Sequence, residues 1–162
     1  MGRERRERVL EFGTGSGRNR AAIEAAGFAV AQLESATESA HAALSTHALL
    51  HGTPSEIDAT LQRIASLLGP HSPLYATFGS VRDARYGMGA LREPFVFAPE
   101  HGDEAGVDHS YFDGTRLRAM LEPQWAIESM REVPVDEIAG TWAHQTTPLQ
   151  GAVHWFVIAT KR

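Results

Sequence analysis

Residues 10–20 read LEFGTGSGRNR and follow the apolar pair Val9 and Leu10. Glycines at Gly13, Gly15 and Gly17 remove side chains from a single turn of backbone, so a ligand or another segment must approach that backbone closely. The spacing is G-x-G-x-G. The dinucleotide fingerprint G-x-G-x-x-G needs its third glycine where this chain has Arg18, so a nicotinamide or flavin pyrophosphate is disfavoured. The tighter turn suits a ligand that crosses it without a pyrophosphate. Glu34 stands roughly 20 residues further on, at the expected end of the next strand, where a carboxylate accepts from both ribose hydroxyls. Glu11, just before the first glycine, is placed to orient the loop or to meet a ligand's ammonium group. The plainer reading is a strand-to-helix turn with a surface carboxylate after it.

Other residues define candidate chemistry around that turn. His47 and His51 lie four apart, a helical spacing able to hold a metal. Ala48 follows His47 where the H-E-x-x-H motif needs its glutamate, and no third ligand stands nearby in sequence. They read as pocket-lining or capping histidines, and no metal is expected. Arg82, Asp83, Arg85 and Tyr86 fall just past an expected strand, where open α/β sheets place their ligands. His109 and Tyr111 belong to the same mouth, and Arg82, Arg85, Tyr86 and Tyr111 are the candidate substrate contacts. A solvated loop with local ion pairs is the alternative. Trp142 and His144 are candidates to close over the site, or Trp142 to cover a sheet edge. Ser16 is no nucleophile elbow, because Thr14 occupies the position of the first glycine in G-x-S-x-G.

Composition bounds the partners. The 162 residues suit one domain with a covered core over 1–162. A net charge of -5 argues against nucleic acid, since phosphate binding needs a basic face. Arg3, Arg5, Arg6 and Arg8 alternate with Glu4 and Glu7 and read as a solvated segment. There is no cysteine, so thiolate chemistry and disulfides are absent. No apolar run nears the ~20 residues of a membrane span, and no signal-peptide apolar region is seen, so a soluble cytoplasmic protein without membrane contact is expected.

The elements that must position these residues follow from pattern. Strands are expected over 5–12, 28–34, 42–47, 73–80, 125–133 and 153–160, and helices over 17–27, 53–69 and 113–123. The first helix has Ala21, Ala22, Ile23 and Ala26 as its small packing face. In the second, Thr53 caps, Pro54 sits in the first turn, Glu56 completes a capping box, and Ile57, Leu61, Ile64, Leu67 and Leu68 line one face. Residues 81–110 and 134–152 read as irregular. The order indicates a layered α/β domain with a mainly parallel sheet and an antiparallel last strand.

At this point a family resemblance becomes specific. VLEFGTGSGRN with GFAVAQLE resembles motif I and the acidic strand end of class I S-adenosylmethionine-dependent methyltransferases. ALSTHALLHGTPSEI resembles their fourth-strand region, and LLGPHSPLYATFGSVRDARYG their fifth strand and its loop. HGDEAGVDHSYFD and HWFVIATKR are similar to the C-terminal part of small bacterial members, broadly of the tellurite-resistance type. The resemblance implies a Rossmann-like three-layer α/β fold and methyl transfer from S-adenosylmethionine to a small molecule. It implies Gly13, Thr14, Gly15 and Gly17 under the cofactor, Glu11 and Glu34 around it, and Ser45, Thr46 and His47 beside its methionine part. A hydroxyl or amine acceptor wants a base, for which His51 and His109 are the candidates. The alternative is a degenerate methyltransferase-fold module that binds or assembles without catalysis.

Only SATESAH, residues 35–41, separates the acidic strand end from the next strand, where the family has a helix, a strand and an acidic loop. A parallel crossover usually takes a dozen or more residues. Seven extended residues reach at most ~25 Å, barely past a strand of ~23 Å. Three solutions are expected: an extended strap, a strand pairing exchanged between subunits of a homodimer, or a sequence lacking a segment near 35–41.

Overall fold

The computed structural model describes residues 7–13, 15, 17–135 and 151–162, and it forms the best-signalled helix as the pattern dictates. Thr53 caps α2 (Pro54–Leu67): its Oγ1 accepts from the Glu56 backbone N–H, while the Glu56 carboxylate accepts from the Thr53 N–H at 2.7 Å. That reciprocal pair satisfies donors the first turn leaves open. Ile57, Leu61, Ile64 and Leu67 are buried along one side. In α3 (Gly114–Leu121) Asp113 accepts from the Arg116 N–H at 2.8 Å, and Leu117 and Leu121 are buried.

β1 (Arg8–Phe12) lies between β2 (Ala29–Gln32) and β3 (Ala42–Ser45), and β3 pairs with β4 (Pro73–Ser80), all parallel. β9 (Val153–Lys161) runs antiparallel along the other edge of β4, and β8 (Trp125–Pro134) pairs antiparallel with β9. The expected antiparallel last strand is therefore present, and the arrangement is the Rossmann-like α/β fold. Crossovers of one hand that leave β1 and β3 in opposite directions put α1 (Arg18–Ala25) on one face and α2 on the other. That reversal opens a crevice at the carboxyl ends of β1 and β3, where such sheets bind ligands. Among the described residues no helix is long and apolar enough to cross a membrane.

Leu10, Ala43, Leu74 and Ala159 form one row across four neighbouring strands and belong to a buried cluster with Ile57, Ile64, Leu117 and Trp125. A buried leucine or isoleucine in such a row contributes about 1.5–3 kcal/mol. The short β2–β3 connection is a turn at residues 33–35 followed by a strap. Leu33, Ala36 and Ala40 are buried in that core, and Arg63 Nη2 on α2 donates to the Ala36 carbonyl at 2.7 Å. Ala40 bridges in parallel to Leu68, and β3 then pairs with β1 of the same chain.

Four expectations are corrected. No α1 residue is buried: Ala21, Ala22 and Ala26 are exposed and Ile23 half-buried, so the helix lies along the sheet without inserting a packing face. β2 stops at Gln32 and leaves Glu34 in an exposed turn, and β3 stops at Ser45. The stretch 81–110 is not irregular throughout. It contains β5 (Ala90–Glu93) and β6 (Val96–Ala98), a hairpin turned at Phe95 with φ 70°, and the first half of β7 (His109–Phe112). Strands of three or four residues offer too few alternations to be seen in sequence. β7 pairs in parallel with the end of β4 beyond β3, where a Cβ on Gly79 would meet the Ser110 carbonyl oxygen at 2.6 Å.

Candidate functional site

The glycine turn leaves β1 with φ of 80° at Gly13, 44° at Gly15 and 74° at Gly17. These left-handed values would cost other residues roughly 1–2 kcal/mol each. At Gly13 the close neighbour belongs to the chain itself: a Cβ there would lie 2.2 Å from Ala48 Cβ, in the turn after β3. Gly17 faces open space and precedes α1 without a side-chain cap, so the helix start is left to other acceptors. Glu11 is 1% exposed and accepts from Gln32 Nε2 at 3.2 Å, while its Oε1 has no hydrogen-bond partner among the described residues. Ser45 Oγ, at the end of β3, is likewise buried and unpartnered among them. Asn19 Nδ2 of α1 donates to Thr46 Oγ1 at 2.7 Å and ties the helix to that strand end. Thr14, Ser16, Trp142 and His144 lie outside the described residues.

Beyond β3 and β4 a buried polar network forms. The Asp83 side chain is fully buried and accepts from Arg85 Nε at 2.9 Å, Arg85 Nη2 at 3.0 Å and the Val153 N–H at 2.9 Å. Burial raises its carboxyl, but the Arg85 bonds and charge outweigh burial and hold it below the ordinary range. The antiparallel course of β9 brings His154 to this end. Arg85 Nη2 lies 3.1 Å from His154 Nε2, and because a guanidinium only donates, Nε2 accepts and the imidazole is neutral with its proton on Nδ1. Burial first, then His47 and Arg85, push His154 down to about 3. Burial with Arg18 and Arg85 pushes His47, whose ring lies 4.8 Å from that of His154, down to about 4. The His154 Nδ1–H has no partner among the described residues, a buried donor open to a ligand. Burial also pushes the Tyr111 phenol up to about 12.

Of the four candidate substrate contacts, Arg85 belongs to this network, and Tyr111 lies near enough to Arg85 and Asp83 to feel their charges. Tyr86 borders it in an aromatic group with Phe95, Phe97 and Tyr111. Arg82 does not join: its side chain is 75% exposed and pairs with Glu132 at 2.9 Å.

The turn after β3 is zipped onto β7. The Ser110 N–H donates to the Leu50 carbonyl at 2.8 Å, the Gly52 N–H to that of Asp108 at 2.6 Å, and His51 bridges antiparallel to His109. Their rings meet edge to face at 4.8 Å. Glu104 joins both, with Oε1 3.3 Å from His51 Nε2 and Oε2 3.0 Å from His109 Nε2. The His109 and His51 imidazoles beside it hold the Glu104 carboxyl far below its ordinary range. The i, i+4 reading of His47 and His51 fails because these residues form a turn, with His47 at φ 57°. His47 faces His154, and His51 faces Glu104 and His109. Sequence reasoning missed Glu104; its only signal is the HGDEAGVDH segment, in which it stands five residues before His109.

No protein-family model matches the sequence, and no curated protein matches it. Solved structures do match. A S-adenosylmethionine-dependent methyltransferase of Methanosarcina mazei is 17% identical with a TM-score of 0.66, over 98% of this chain and 94% of that one. A Burkholderia thailandensis 1,6-didemethyltoxoflavin-N1-methyltransferase, with bound 1,6-didemethyltoxoflavin and S-adenosylhomocysteine, is 19% identical with a TM-score of 0.68, over 97% and 72%. The magnesium protoporphyrin IX methyltransferase of Synechocystis, with bound S-adenosylmethionine, is 12% identical with a TM-score of 0.53, over 95% and 69%. The fold is that of the S-adenosylmethionine-dependent methyltransferases.

Proposed function

We propose that the protein transfers a methyl group from S-adenosylmethionine to a small-molecule acceptor, with HGDEAGVDHSYFD and HWFVIATKR as the sequence support for a small bacterial type. The observation that carries the reading is Glu11, a carboxylate buried beside the glycine turn with one oxygen unpartnered among the described residues. A buried anion left half-satisfied is costly unless a ligand completes it, and the methionine ammonium supplies that charge. Gly13, Gly15 and Gly17 form the floor under the cofactor; Thr14, a further candidate cofactor contact, lies outside the described residues. Glu34, on the exposed turn past β2, takes the ribose hydroxyls, and Ser45, Thr46 and His47 border the methionine part. Arg85, Tyr111 and Tyr86 shape the acceptor's side.

The reaction needs little covalent help. The acceptor's lone pair forms its bond to the methyl carbon as the carbon–sulfur bond breaks, and sulfur keeps the electron pair as S-adenosylhomocysteine. Positioning supplies most of the acceleration. The acceptor's proton is assigned to the cluster of His51, Glu104 and His109, three side chains whose nitrogen and oxygen atoms lie within 4.8 Å of one another. The net charge of -5 and the small-molecule substrate of the Burkholderia neighbour support a small acceptor over nucleic acid.

Isothermal titration with S-adenosylhomocysteine tests the reading. Micromolar binding that is lost in Gly15→Asp and weakened about tenfold in Glu34→Ala is expected. A folded protein with no detectable binding overturns it in favour of a methyltransferase-fold module that binds or assembles without catalysis.

A further inference from the structure

We infer that His51, Glu104 and His109 form a binding site for one divalent transition-metal cation. The inference deepens the proposed function, since it states how the acceptor-activating cluster works, but the site itself needs no S-adenosylmethionine. All three ligand atoms lie within 4.8 Å of one another. A tetrahedral cation with bonds of ~2.0–2.2 Å holds neighbouring nitrogen and oxygen ligands about 3.3 Å apart. The two observed separations from the Glu104 oxygens, 3.3 Å to His51 and 3.0 Å to His109, lie at or just inside that spacing.

A second observation points the same way. His109 Nδ1 lies 2.8 Å from the Val107 carbonyl oxygen, which only accepts, so Nδ1 carries a proton. In the neutral ring Nε2 is then a bare lone pair, and it faces a carboxylate oxygen at 3.0 Å. Two acceptors oppose each other unless a cation stands between them, either a second proton on the ring or a metal. Metal-ligating histidines commonly donate their other ring N–H to a backbone carbonyl, which fixes the tautomer and orients the lone pair at the ion. The backbone around the cluster is also tied down, with the turn after β3 hydrogen-bonded to the β7 segment on either side of His51.

Ligand chemistry selects the ion. Two imidazoles and one carboxylate suit zinc, iron(II), cobalt(II) or manganese(II), whereas magnesium and calcium take oxygen ligands. His109 is 1% exposed, but the His51 and Glu104 side chains are 37% and 27% exposed, so the cluster opens toward solvent. Three protein ligands with an open side are the pattern of a site that leaves a position for an incoming oxygen or nitrogen. An acceptor atom held there would be polarised and its pKa lowered, so that its proton could pass to water at the cluster's open side.

The test uses tag-free full-length protein stripped with chelator, titrated with Zn²⁺ by calorimetry and with Co²⁺ by visible absorption. One ion per chain is expected, with a Co²⁺ spectrum of nitrogen and oxygen coordination. Loss of an outer partner alone typically costs about 10–100-fold in metal affinity, so His51→Ala and Glu104→Gln are each expected to weaken binding by more than tenfold. His71→Asn, at the amino end of β4, is expected to leave it unchanged. Retained binding in the folded double variant His51→Ala/Glu104→Gln overturns the inference, as does the absence of stoichiometric binding in the wild type, which would leave a doubly protonated His109 as the partner of Glu104. S-adenosylhomocysteine titration of the same samples separates the two readings: cofactor binding without metal sinks only this inference, and metal binding without cofactor sinks only the proposed methyl transfer.

Discussion

Lowering the pH from 7.5 to 5.0 is expected to cost the protein about 2 kcal/mol of stability through His154 alone. The residue is 1% exposed, its Nε2 is committed to accepting from Arg85, and burial pushes it from 6.5 down to about 3. In the unfolded chain the imidazole takes up a proton as the pH falls below 6.5, whereas in the folded chain it stays neutral until about 3. Stability is therefore complete above pH 6.5 and falls progressively toward pH 3. At pH 5.0 the drop from 6.5 corresponds to about 2 kcal/mol at 1.36 kcal/mol per unit. His47, pushed to about 4, acts in the same direction. It is only partly buried and its ring lies 4.8 Å from that of His154, so its share is smaller and does not simply add. The Asp83 and Glu104 carboxyls are both held below their ordinary range and lose their contribution only at lower pH, outside this window. Urea unfolding at pH 7.5, 6.5, 5.5 and 5.0 measures the slope, and 2 kcal/mol moves the midpoint by roughly 1 M for a typical small domain. His154→Gln offers Arg85 a neutral acceptor that does not titrate. Its stability is expected to fall by about 2 kcal/mol less than that of the wild type over the same range. Identical pH profiles for the two proteins would refute a neutral, buried His154 and with it the Asp83–Arg85–His154 arrangement.

Two further perturbations address the same end of the sheet. Gly13→Ala forces a left-handed φ of 80° on alanine and sets its Cβ 2.2 Å from Ala48 Cβ, so a loss of about 2–5 kcal/mol in chemical unfolding is expected, together with loss of S-adenosylhomocysteine binding in calorimetry. Asp83→Asn removes the charge that compensates Arg85 in a site where the aspartate side chain is fully buried, and about 3–5 kcal/mol is expected to be lost in the same unfolding assay at pH 7.5.

Legibility in the sequence followed the range of the interaction. The capping box of Thr53 and Glu56 is a local contract between residues three apart, and it is met as read. β1, β4 and β9 are long enough for their apolar positions to declare them, and the order of elements carried the parallel sheet with its antiparallel last strand. Gly13 was legible as a close approach, but what approaches it, Ala48, was not. The packing face expected for α1 is absent because burial depends on what else covers that side of the sheet, which no local pattern records. Of the three expected solutions for residues 35–41, this chain takes the strap, with Ala36 and Ala40 buried in the core beside Leu33.

The sequence by itself determined the glycine turn after the first strand, the cap of α2, and the parallel order of the central strands. Each rests on neighbouring residues or on chain order. Tertiary structure alone decided which titratable groups meet. It joined Arg85 and Asp83 to His154 across two strands of opposite direction, and His51 to Glu104 and His109 across a turn zipped onto β7. Residues some fifty or seventy positions apart come together only when register is set, and register is set by the burial of Leu10, Ala43, Leu74 and Ala159 in a single row.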